Sequence, residues 1–294
     1  MVKKQILNKK TEILSGNELA EEVLLSLRNN IVNAKNKSKK SPGLAIIRVG
    51  EDPASILYVR NKKKACEKIG INFHEYCFCD DTEEKDILIA ISFLNDDPDI
   101  SGIIVQLPLP KELNADKIIQ AINPLKDVDG FNYDNIQKLE GAIVLKNLDG
   151  VIFPPTLMAV MTLLSEVEED LAGKKAIIVS KNNFFASPLI SLLKFKDIDS
   201  EIISPDDKDL RNKLKKSDIV IIAIGAPDFL KPNMIKEGTV IIDVGTTLKN
   251  GKILGDADVG CAKKASYISP VPGGVGPLTV AYLLKNVVEF WEKF

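Results

Sequence analysis

Ser55, Tyr58 and Lys62 are the residues whose types and spacing first suggest chemistry. Their i, i+3, i+7 spacing places them on one stripe of a helix, which apolar residues at helical intervals predict for residues 54–69. This stripe borders the inward face, where desolvation lowers the pKa of a lysine. A lysine held there beside a tyrosine could take or give a proton near neutral pH. The alternative is a lysine in the basic run 62–64 whose stem only covers apolar surface.

The composition is that of an ordinary globular protein with two domains. At 294 residues the chain exceeds one typical core, and 45% of its residues are hydrophobic and 27% are charged. Its 39 Lys and Arg residues against 41 Asp and Glu residues indicate no basic surface of the nucleic-acid-binding kind. The first residues lack the apolar core of a secretory signal, and the longest apolar run, 219–226, is strand-sized. We therefore expect a cytoplasmic protein that binds neither nucleic acid nor membrane.

Cysteine and histidine usage argues against several kinds of catalytic site. The four cysteines fit no zinc or disulfide framework, which agrees with a reducing cytoplasm. Cys77 and Cys79 share one face of a probable strand, where we expect them to be buried and structural. The single histidine, His74, leaves little room for a Ser-His-Asp triad or a multi-histidine metal site. Acid–base chemistry must therefore fall to lysine, tyrosine, aspartate or glutamate, and no metal is expected.

Strands and helices alternate along the chain in two series. The first series, residues 1–150, predicts helices at 17–34, 54–69, 83–95 and 114–122 and strands at 44–49, 72–79 and 102–107. Its end, 124–150, is predicted to be a polar loop. The second series, residues 151–276, predicts helices at 155–166 and 188–195 and strands at 176–179, 201–203, 219–224 and 240–243. A last helix follows at 278–294. This alternation predicts an α/β fold with mainly parallel sheets covered on both faces.

The second series has the pattern of a dinucleotide-binding half, but its loop is unusual. Between the strand at 176–179 and the helix predicted from Pro188 lies Ser180-Lys-Asn-Asn-Phe-Phe-Ala-Ser187, which contains no glycine. Dinucleotide loops commonly use glycine so that the backbone can approach the pyrophosphate at the helix N-terminus. This loop alone leaves open both cofactor binding and an ordinary connection between a strand and a helix.

Further segments carry residues suited to a ligand site. Gln106 and Asp129, the latter in a short motif with Asp127, lie at or just past the carboxyl ends of probable parallel strands, where open α/β sheets bind ligands. Asp243-Val-Gly245 also lies at a strand end, and the Pro/Gly-rich segment 268–279 offers backbone that can approach a flat ligand closely. Each segment alone could be turn chemistry only, as the Asp-Gly pair that begins at Asp129 illustrates.

Together, in this order, the segments resemble the bifunctional methylenetetrahydrofolate dehydrogenase/methenyltetrahydrofolate cyclohydrolase family over nearly the whole chain. The most specific motifs are Tyr58-Val-Arg-Asn-Lys62, Gly102-Ile-Ile-Val-Gln-Leu-Pro-Leu-Pro110, Lys126-Asp-Val-Asp-Gly130 and Pro270-Val-Pro-Gly-Gly-Val-Gly-Pro-Leu-Thr279. The resemblance implies a folate-binding catalytic domain, residues 1–150 with the terminal helix 277–294, and a Rossmann-type dinucleotide-binding domain, residues 151–276. It also implies a cleft between the domains, a folate substrate, and a homodimer that serves one-carbon metabolism and purine biosynthesis.

The resemblance further implies a role for each matching residue. Lys62 would be the central catalytic residue and would assist water attack on the methenyl carbon and ring opening. Tyr58 would orient this lysine and stack on the folate. Gln106 would hydrogen-bond the lysine, and Ser55 would support the same network. Asp129 would accept hydrogen bonds from the amino edge of the pterin. The loop lining the cleft would contribute Pro272, Gly273 and Gly276. These roles agree with the physics, because the methenyl intermediate is a cation and favours a neutral, basic lysine beside it.

The chain departs from the family in its dinucleotide motif. Where the family usually has Gly-Arg-Ser-x-x-Val-Gly-x-Pro, residues 180–188 lack both glycines. The arginine that would hold the 2′-phosphate of NADP is Lys181, a point charge without a bidentate fork. Asp206 and Asp207 would repel a nearby phosphate if they faced it. The positions that match the family's cofactor residues are Ser180, Lys181, Asn182, Pro205 and Thr246. The expected cofactor is NADP, with NAD or no dinucleotide as alternatives.

The sequence thus predicts NADP-dependent oxidation of 5,10-methylene-tetrahydrofolate to the 5,10-methenyl form, followed by hydrolysis to 10-formyl-tetrahydrofolate. Because the folate motifs are intact and the dinucleotide motif is eroded, a monofunctional cyclohydrolase is the first alternative. A non-catalytic folate- or nucleotide-sensing protein is a second, and the pair Tyr58 and Lys62 argues against it. An amino-acid dehydrogenase is a third, but it would need the glycine-rich loop that residues 180–187 lack.

Overall fold

A computed structural model of the chain describes residues 11–36, 40–145, 147–148, 150–181 and 183–293. These residues form two compact α/β units. The first unit comprises Asn17–Ala159 and the chain from Gly276 onward; the second comprises Val160–Val275 and residues 11–16. The predicted class, two α/β domains with parallel sheets, is confirmed. None of the helices in the described ranges is long and apolar enough to cross a membrane.

The described residues contain these α-helices: α1 (Gly16–Lys35), α2 (Pro53–Ile69), α3 (Glu84–Asp96), α4 (Ala115–Gln120), α5 (Tyr133–Val144), α6 (Pro155–Ser165), α7 (Asn183–Phe195), α8 (Leu210–Leu214) and α9 (Val275–Lys293). The strands are β1 (Glu12–Ile13), β2 (Gly43–Val49), β3 (Asn72–Phe78), β4 (Gly102–Val105), β5 (Lys175–Ser180), β6 (Asp199–Ile203), β7 (Ile219–Ala223), β8 (Val240–Asp243), β9 (Thr247–Lys249), β10 (Lys252–Leu254) and β11 (Tyr267–Ile268).

The first unit is built on a three-stranded parallel sheet in the order β3-β2-β4. Its central strand β2 is buried along its whole length, as an apolar run interrupted only by Arg48 predicts for a strand covered on both faces. Ile47 and Ile103 of the sheet pack with Ile87 and Ile91 of α3 in one apolar cluster. The sheet therefore has a rigid core beneath the residues that follow the carboxyl ends of its strands.

The second unit is built on a six-stranded parallel sheet in the order β1-β11-β8-β7-β5-β6, with a separate antiparallel hairpin of β9 and β10. Strands β7 and β8 are almost entirely buried, and their Val and Ile side chains form much of the core. Because neighbouring strands are parallel, the loops after β5, β6, β7 and β8 all leave the sheet at the same edge.

Local signals set both ends of helix α2. The Asp52 side chain accepts a hydrogen bond from the Ser55 N–H at 2.7 Å, and Pro53 occupies the first helical position. Gly70 ends the helix in the left-handed conformation, with φ of 90°, and donates its N–H to the Cys66 carbonyl. The predicted helix and its predicted C-cap are therefore confirmed.

Two secondary-structure predictions were wrong. Helix α5 lies inside the stretch predicted as a polar loop, because only a narrow stripe with Asn135, Leu139 and Ala142 is buried and most of its other residues are polar. Helix α7 begins at Asn183, five residues before the predicted start, and Pro188 lies inside it. A proline this close to the start removes only one internal hydrogen bond, so the helix can extend in front of it.

Other differences concern residues whose neighbours are distant in sequence. Cys77 and Cys79 are exposed, not buried, because β3 is an edge strand whose outer face is uncovered. Strand β1 pairs with β11, so residues 11–16 lie with the second unit although the sequence placed them in the first domain. The compact units divide near residues 159 and 275, close to the predicted limits of 150 and 276. The cleft between the domains stays a prediction.

Candidate active site

Helix α2 carries three of the predicted site residues on one side. Ser55 is buried, and Tyr58 and Lys62 are half-buried. Cys66, one turn beyond Lys62, is buried, so the stripe that carries the lysine runs along the side of the helix that packs inward. The predicted placement of Lys62 at the border of the inward face is therefore confirmed.

The ammonium group of Lys62 is anchored on the first residue after strand β4. Its Nζ donates to Oε1 of Gln106 at 2.8 Å. The amide of Gln106 in turn donates to the Leu107 carbonyl at 2.7 Å, and the Ser55 hydroxyl lies 3.5 Å from the same carbonyl. Gln106 itself is tied to the sheet by its N–H, which donates to the Ile47 carbonyl at 2.8 Å. Lys62, Gln106 and Ser55 thus form the connected network that the resemblance implied.

Asp129 lies on a segment that runs beside β4 toward this network. The Ile103 N–H donates to the Lys126 carbonyl at 2.7 Å, and Asp127 pairs with Ile103 in parallel register. The segment therefore continues toward the end of β4 at which Gln106 lies. Asp129 is half-buried, and its charge acts on Lys62.

Asp127 has a different role from Asp129, because it is buried and holds the turn together. Its carboxylate accepts from the N–H of Gly130 at 3.0 Å, the N–H of Asn132 at 2.7 Å and the side-chain amide of Asn135 at 3.1 Å. A turn fixed by three donors to one buried carboxylate is rigid. The turn therefore presents Asp129 in one defined position.

Sequence inspection missed a residue of the terminal helix that also holds this turn. The side-chain amide of Asn286, on α9, donates to the carbonyls of Val128 at 2.9 Å and Phe153 at 3.0 Å. Asn286 is buried and stands in an apolar run beside Val287 and Val288. A polar residue within the apolar face of a helix was the available signal, since such a group needs hydrogen-bond partners when buried.

Burial shifts the pKa values of two neighbouring groups of the site, Lys62 and Asp129, in opposite directions. Burial lowers the pKa of Lys62, while the charges of Asp129 and Cys66 act in the opposite direction. Burial raises the pKa of Asp129 to about 6; Lys62 opposes this shift and Asp127 adds to it. Burial also raises the pKa of Cys66 to about 12, so its thiol stays protonated. A lysine whose pKa is lowered and a carboxyl group whose pKa is raised are suited to exchange protons with a ligand.

The predicted cofactor positions lie at the carboxyl edge of the sheet in the second unit. Ser180 is the buried last residue of β5, and Lys181 follows it with an exposed side chain. Pro205 is half-buried after β6, and Thr246 is exposed after β8, where its hydroxyl donates to the Val244 carbonyl at 3.3 Å. Asn182 lies outside the described residues. The parallel order of the strands therefore brings the described positions to one edge, where open α/β sheets bind nucleotides.

The Pro/Gly-rich segment spans the boundary between the two units. Pro272 and Gly273 belong to the second unit, whereas Gly276 belongs to the first turn of α9 in the first unit. Gly273 has φ of 112°, a conformation that favours glycine, and its carbonyl accepts from the Gly16 N–H at 2.8 Å. The assignment of these three residues to the substrate site stays a prediction.

The described side chains offer no group of three or more His, Cys, Asp and Glu residues that could hold a metal ion.

Comparisons with known proteins agree on one family. Residues 14–129 match the description "Tetrahydrofolate dehydrogenase/cyclohydrolase, catalytic domain", and residues 154–294 match "Tetrahydrofolate dehydrogenase/cyclohydrolase, NAD(P)-binding domain". The chain is 40% identical over 284 residues to the bifunctional protein FolD of Nautilia profundicola, and the alignment covers 96% of this chain and 98% of that protein. It is 41% identical over 282 residues to the bifunctional protein FolD of Aquifex aeolicus, with 96% and 95% covered.

Solved structures lead to the same family. The bifunctional FolD methylenetetrahydrofolate dehydrogenase/cyclohydrolase of Campylobacter jejuni is 37% identical, with a TM-score of 0.87 and 96% and 99% of the two chains covered. The FolD enzyme of Trypanosoma brucei, solved with NADP and an inhibitor, is 28% identical, with a TM-score of 0.90 and 96% and 98% covered. Two matching domains and relatives at about 40% identity over nearly the full length lead to one conclusion: this chain belongs to the tetrahydrofolate dehydrogenase/cyclohydrolase family.

Proposed function

We propose that the chain is a bifunctional enzyme that oxidises 5,10-methylene-tetrahydrofolate to 5,10-methenyl-tetrahydrofolate with NADP and hydrolyses the product to 10-formyl-tetrahydrofolate. Membership of the family and the two activities named for its relatives support this. The single observation that carries the proposal is the hydrogen bond of 2.8 Å from Lys62 to Gln106, with the charge of Asp129 acting on the same lysine.

In the hydrolytic step, Lys62 acts as the general base. The methenyl carbon is part of a delocalised cation and is already electrophilic, so water can add to it once a base removes a proton. Neutral Lys62, favoured by burial, takes that proton while Gln106 holds its amine in place. The bond from this carbon to N5 then breaks, a proton goes to N5, and the formyl group stays on N10. The net change is addition of one water and release of one proton.

The remaining side chains of the first unit bind and orient the substrate. Tyr58, one helical turn before Lys62, offers a ring on which the flat folate can stack. Asp129, held by the turn around Asp127, accepts hydrogen bonds from the amino edge of the pterin. Ser55 supports the Leu107 carbonyl that Gln106 also contacts. Each of these roles follows from the resemblance and is compatible with the observed contacts.

The second unit fits a dinucleotide although its loop has no glycine. Only two residues separate the end of β5 from the start of α7, so the N–H groups of a 13-residue helix begin directly beside the carboxyl edge of the sheet. Lys181 adds a positive charge there, and the first turn of α7 contains no acidic residue. Asp207 pairs with Lys213 at 3.1 Å, which compensates part of the predicted repulsion. When bound, NADP supplies the acceptor for the hydride of the methylene carbon.

A monofunctional cyclohydrolase is the alternative, and two assays on the purified full chain separate it from the bifunctional enzyme. Absorbance of NADPH reports oxidation of methylene-tetrahydrofolate, and loss of methenyl absorbance reports hydrolysis. The bifunctional proposal expects both signals; hydrolysis without NADPH formation would support the alternative instead. The match of residues 154–294 to an NAD(P)-binding domain favours the bifunctional enzyme.

Replacement of the lysine tests the catalytic assignment. We expect Lys62→Ala to lower the cyclohydrolase rate by about a hundredfold or more, since general base catalysis contributes at least this much. Lys63→Ala, at the adjacent exposed position, is the matched control and should keep the wild-type rate. An unchanged rate in Lys62→Ala would refute the role given to this residue.

We also propose a cytoplasmic homodimer whose product serves purine biosynthesis, as the resemblance implies. The exposed edge of β3 is one face that a second copy could cover, because Tyr76 and Phe93 line a hollow there. Sedimentation equilibrium of the purified chain tests the dimer directly: the mass of one chain at micromolar concentration would contradict it.

A further inference from the structure

Asp256 is a fully buried aspartate in the second unit that the proposed reaction does not use. Its carboxylate accepts hydrogen bonds from three consecutive backbone N–H groups, those of Ile224 at 2.7 Å, Gly225 at 3.1 Å and Ala226 at 2.6 Å. These residues form the loop directly after β7. A buried charge is stable only when it is well paired, and here its partners are loop amides. The position and shape of the loop therefore depend on this side chain.

A second buried aspartate holds the segment that carries Asp256. The carboxylate of Asp243, at the end of β8, accepts from the N–H groups of Asp256 at 3.1 Å, Ala257 at 2.8 Å and Gly245 at 3.0 Å. Close packing requires glycine beside both carboxylates. A Cβ at Gly245 would lie 2.1 Å from Cγ of Asp256, and one at Gly255 would lie 2.2 Å from Oδ2 of Asp243. The two aspartates and the two glycines thus form one close-packed hydrogen-bond network, here called the aspartate network, which connects the end of β8 to the loop after β7.

The loop held by the aspartate network lies at the point where the sheet reverses its strand order. Strand β6 lies on one side of β5 and β7 on the other, so the chain moves outward from β5 to β6 and then crosses back to the opposite side of β5. Open α/β sheets bind nucleotides in the crevice outside the carboxyl ends of the two strands at such a point. Ser180, at the end of β5, pairs in register with Ala223, at the end of β7. Residues 224–226 therefore form the wall of this crevice opposite Lys181.

We propose that Asp256 is a positioning residue for the dinucleotide, because it fixes residues 224–226 as one wall of the crevice at the carboxyl ends of β5 and β7. The inference rests on the proposed function, since it needs a dinucleotide in this crevice. In other dinucleotide-binding folds, glycines in the loop between the first strand and the following helix shape the site. In this chain, the aspartate network would shape part of the site from the loop after β7.

Asp256→Asn tests this inference, because the amide keeps the size of the side chain but replaces one acceptor oxygen by a donor that faces loop N–H groups. We expect the Kd for NADPH, measured by fluorescence titration, and the KM for NADP to rise by about tenfold or more, the fold-change that corresponds to loss of a charge-assisted hydrogen bond. Hydrolysis of added methenyl-tetrahydrofolate needs no dinucleotide and should stay within about twofold of wild type. Circular dichroism and thermal unfolding of the free protein accompany both assays.

Asp258→Asn is the matched control in the same unit. Asp258 caps a short 3-10 helix through the Gly260 N–H and pairs with Lys231 on the surface, without contact to residues 224–226 in the hydrogen bonds described. This variant should keep both the dinucleotide affinity and the cyclohydrolase rate.

If Asp256→Asn does not fold, Gly245→Ala provides a second test. It leaves every charge in place but puts a methyl group where the Asp256 carboxylate lies, so it should produce the same selective loss of dinucleotide affinity. Wild-type affinity in either folded variant would overturn the proposal. Equal loss of dinucleotide affinity and cyclohydrolase rate would also overturn it, because it would indicate a general defect in folding. Failure of the proposed function would look different: the wild-type protein itself would form no NADPH.

Discussion

Substitution of Gln106 by glutamate would show whether Lys62 acts as a base. The Gln106 amide accepts a hydrogen bond from the lysine Nζ at 2.8 Å without adding charge. Glutamate has nearly the same shape, so Gln106→Glu keeps the contact and places a carboxylate against the amine. The charged form of the lysine gains a partner, and its pKa must rise.

Coulomb's law for a close pair of opposite charges gives the size of the effect. Two unit charges about 4 Å apart interact by about 4 kcal/mol at an effective dielectric constant of about 20. Because about 1.4 kcal/mol corresponds to one pKa unit, the pKa of Lys62 would rise by up to about three units. Lys62 is half-buried, so solvent screening reduces this to about two or three. The neutral share of the lysine at pH 7 would then fall steeply, by up to about a hundred- to a thousandfold.

The assay is the pH dependence of methenyl-tetrahydrofolate hydrolysis between pH 6 and pH 10, after subtraction of the rate without enzyme. Neutral lysine is the active form, so the rate rises with pH through its pKa. We expect Gln106→Glu to lose most of its rate at pH 7 and to move the rising limb upward by about two to three pH units. Gln137→Glu, on the exposed face of α5, makes the same charge change away from the site and should leave the profile unchanged. A rising limb that stays in place or moves downward would refute the assignment.

Two further predictions concern the turn that carries Asp129. In Asn286→Leu, the carbonyls of Val128 and Phe153 lose their donor, which costs about 1–3 kcal/mol for each carbonyl. We therefore expect the free energy of unfolding in urea to fall by roughly 2–6 kcal/mol and the cyclohydrolase rate to fall with it, and a wild-type urea midpoint would contradict this. In the native state burial raises the pKa of Asp129 from 3.8 to about 6, so its ionisation weakens the fold and this group makes stability decline as pH rises from about 4 to 6. Asp129→Asn removes that decline. Its free energy of unfolding should exceed that of wild type by up to about 3 kcal/mol above pH 6 and should be about equal to it below pH 4. A difference in the free energy of unfolding that does not vary with pH would count against the burial argument.

Features that depend on neighbours along the chain could be predicted from the sequence. Helix α2 is one case, since Pro53 opens it and Gly70 closes it within a single local segment. The side of this helix that carries Lys62 also followed from spacing alone. The buried strand β2 could be predicted because a nearly continuous apolar run is typical of a parallel sheet. The contact between Lys62 and Gln106 followed from the resemblance, not from spacing.

Features that depend on which elements become neighbours were predicted poorly. The alternation of side chains led to the prediction that Cys77 and Cys79 are buried, but it does not reveal that β3 lies at the edge of the sheet, where both cysteines are exposed. The predicted helix α7 was too short because proline is common at the first position of a helix, whereas Pro188 lies inside α7.

The sequence by itself therefore determined the class of the fold, both ends of helix α2 and the side of that helix which carries Lys62. Only the tertiary structure decided which distant groups meet. Asn286 lies 158 residues from the carbonyl of Val128 that it binds, and Asp256 lies about 30 residues beyond the amides of residues 224–226. The physical reason is that periodicity and capping act within a few residues, while the partner of a buried polar group is chosen by strand order and by the packing of helices on the sheet.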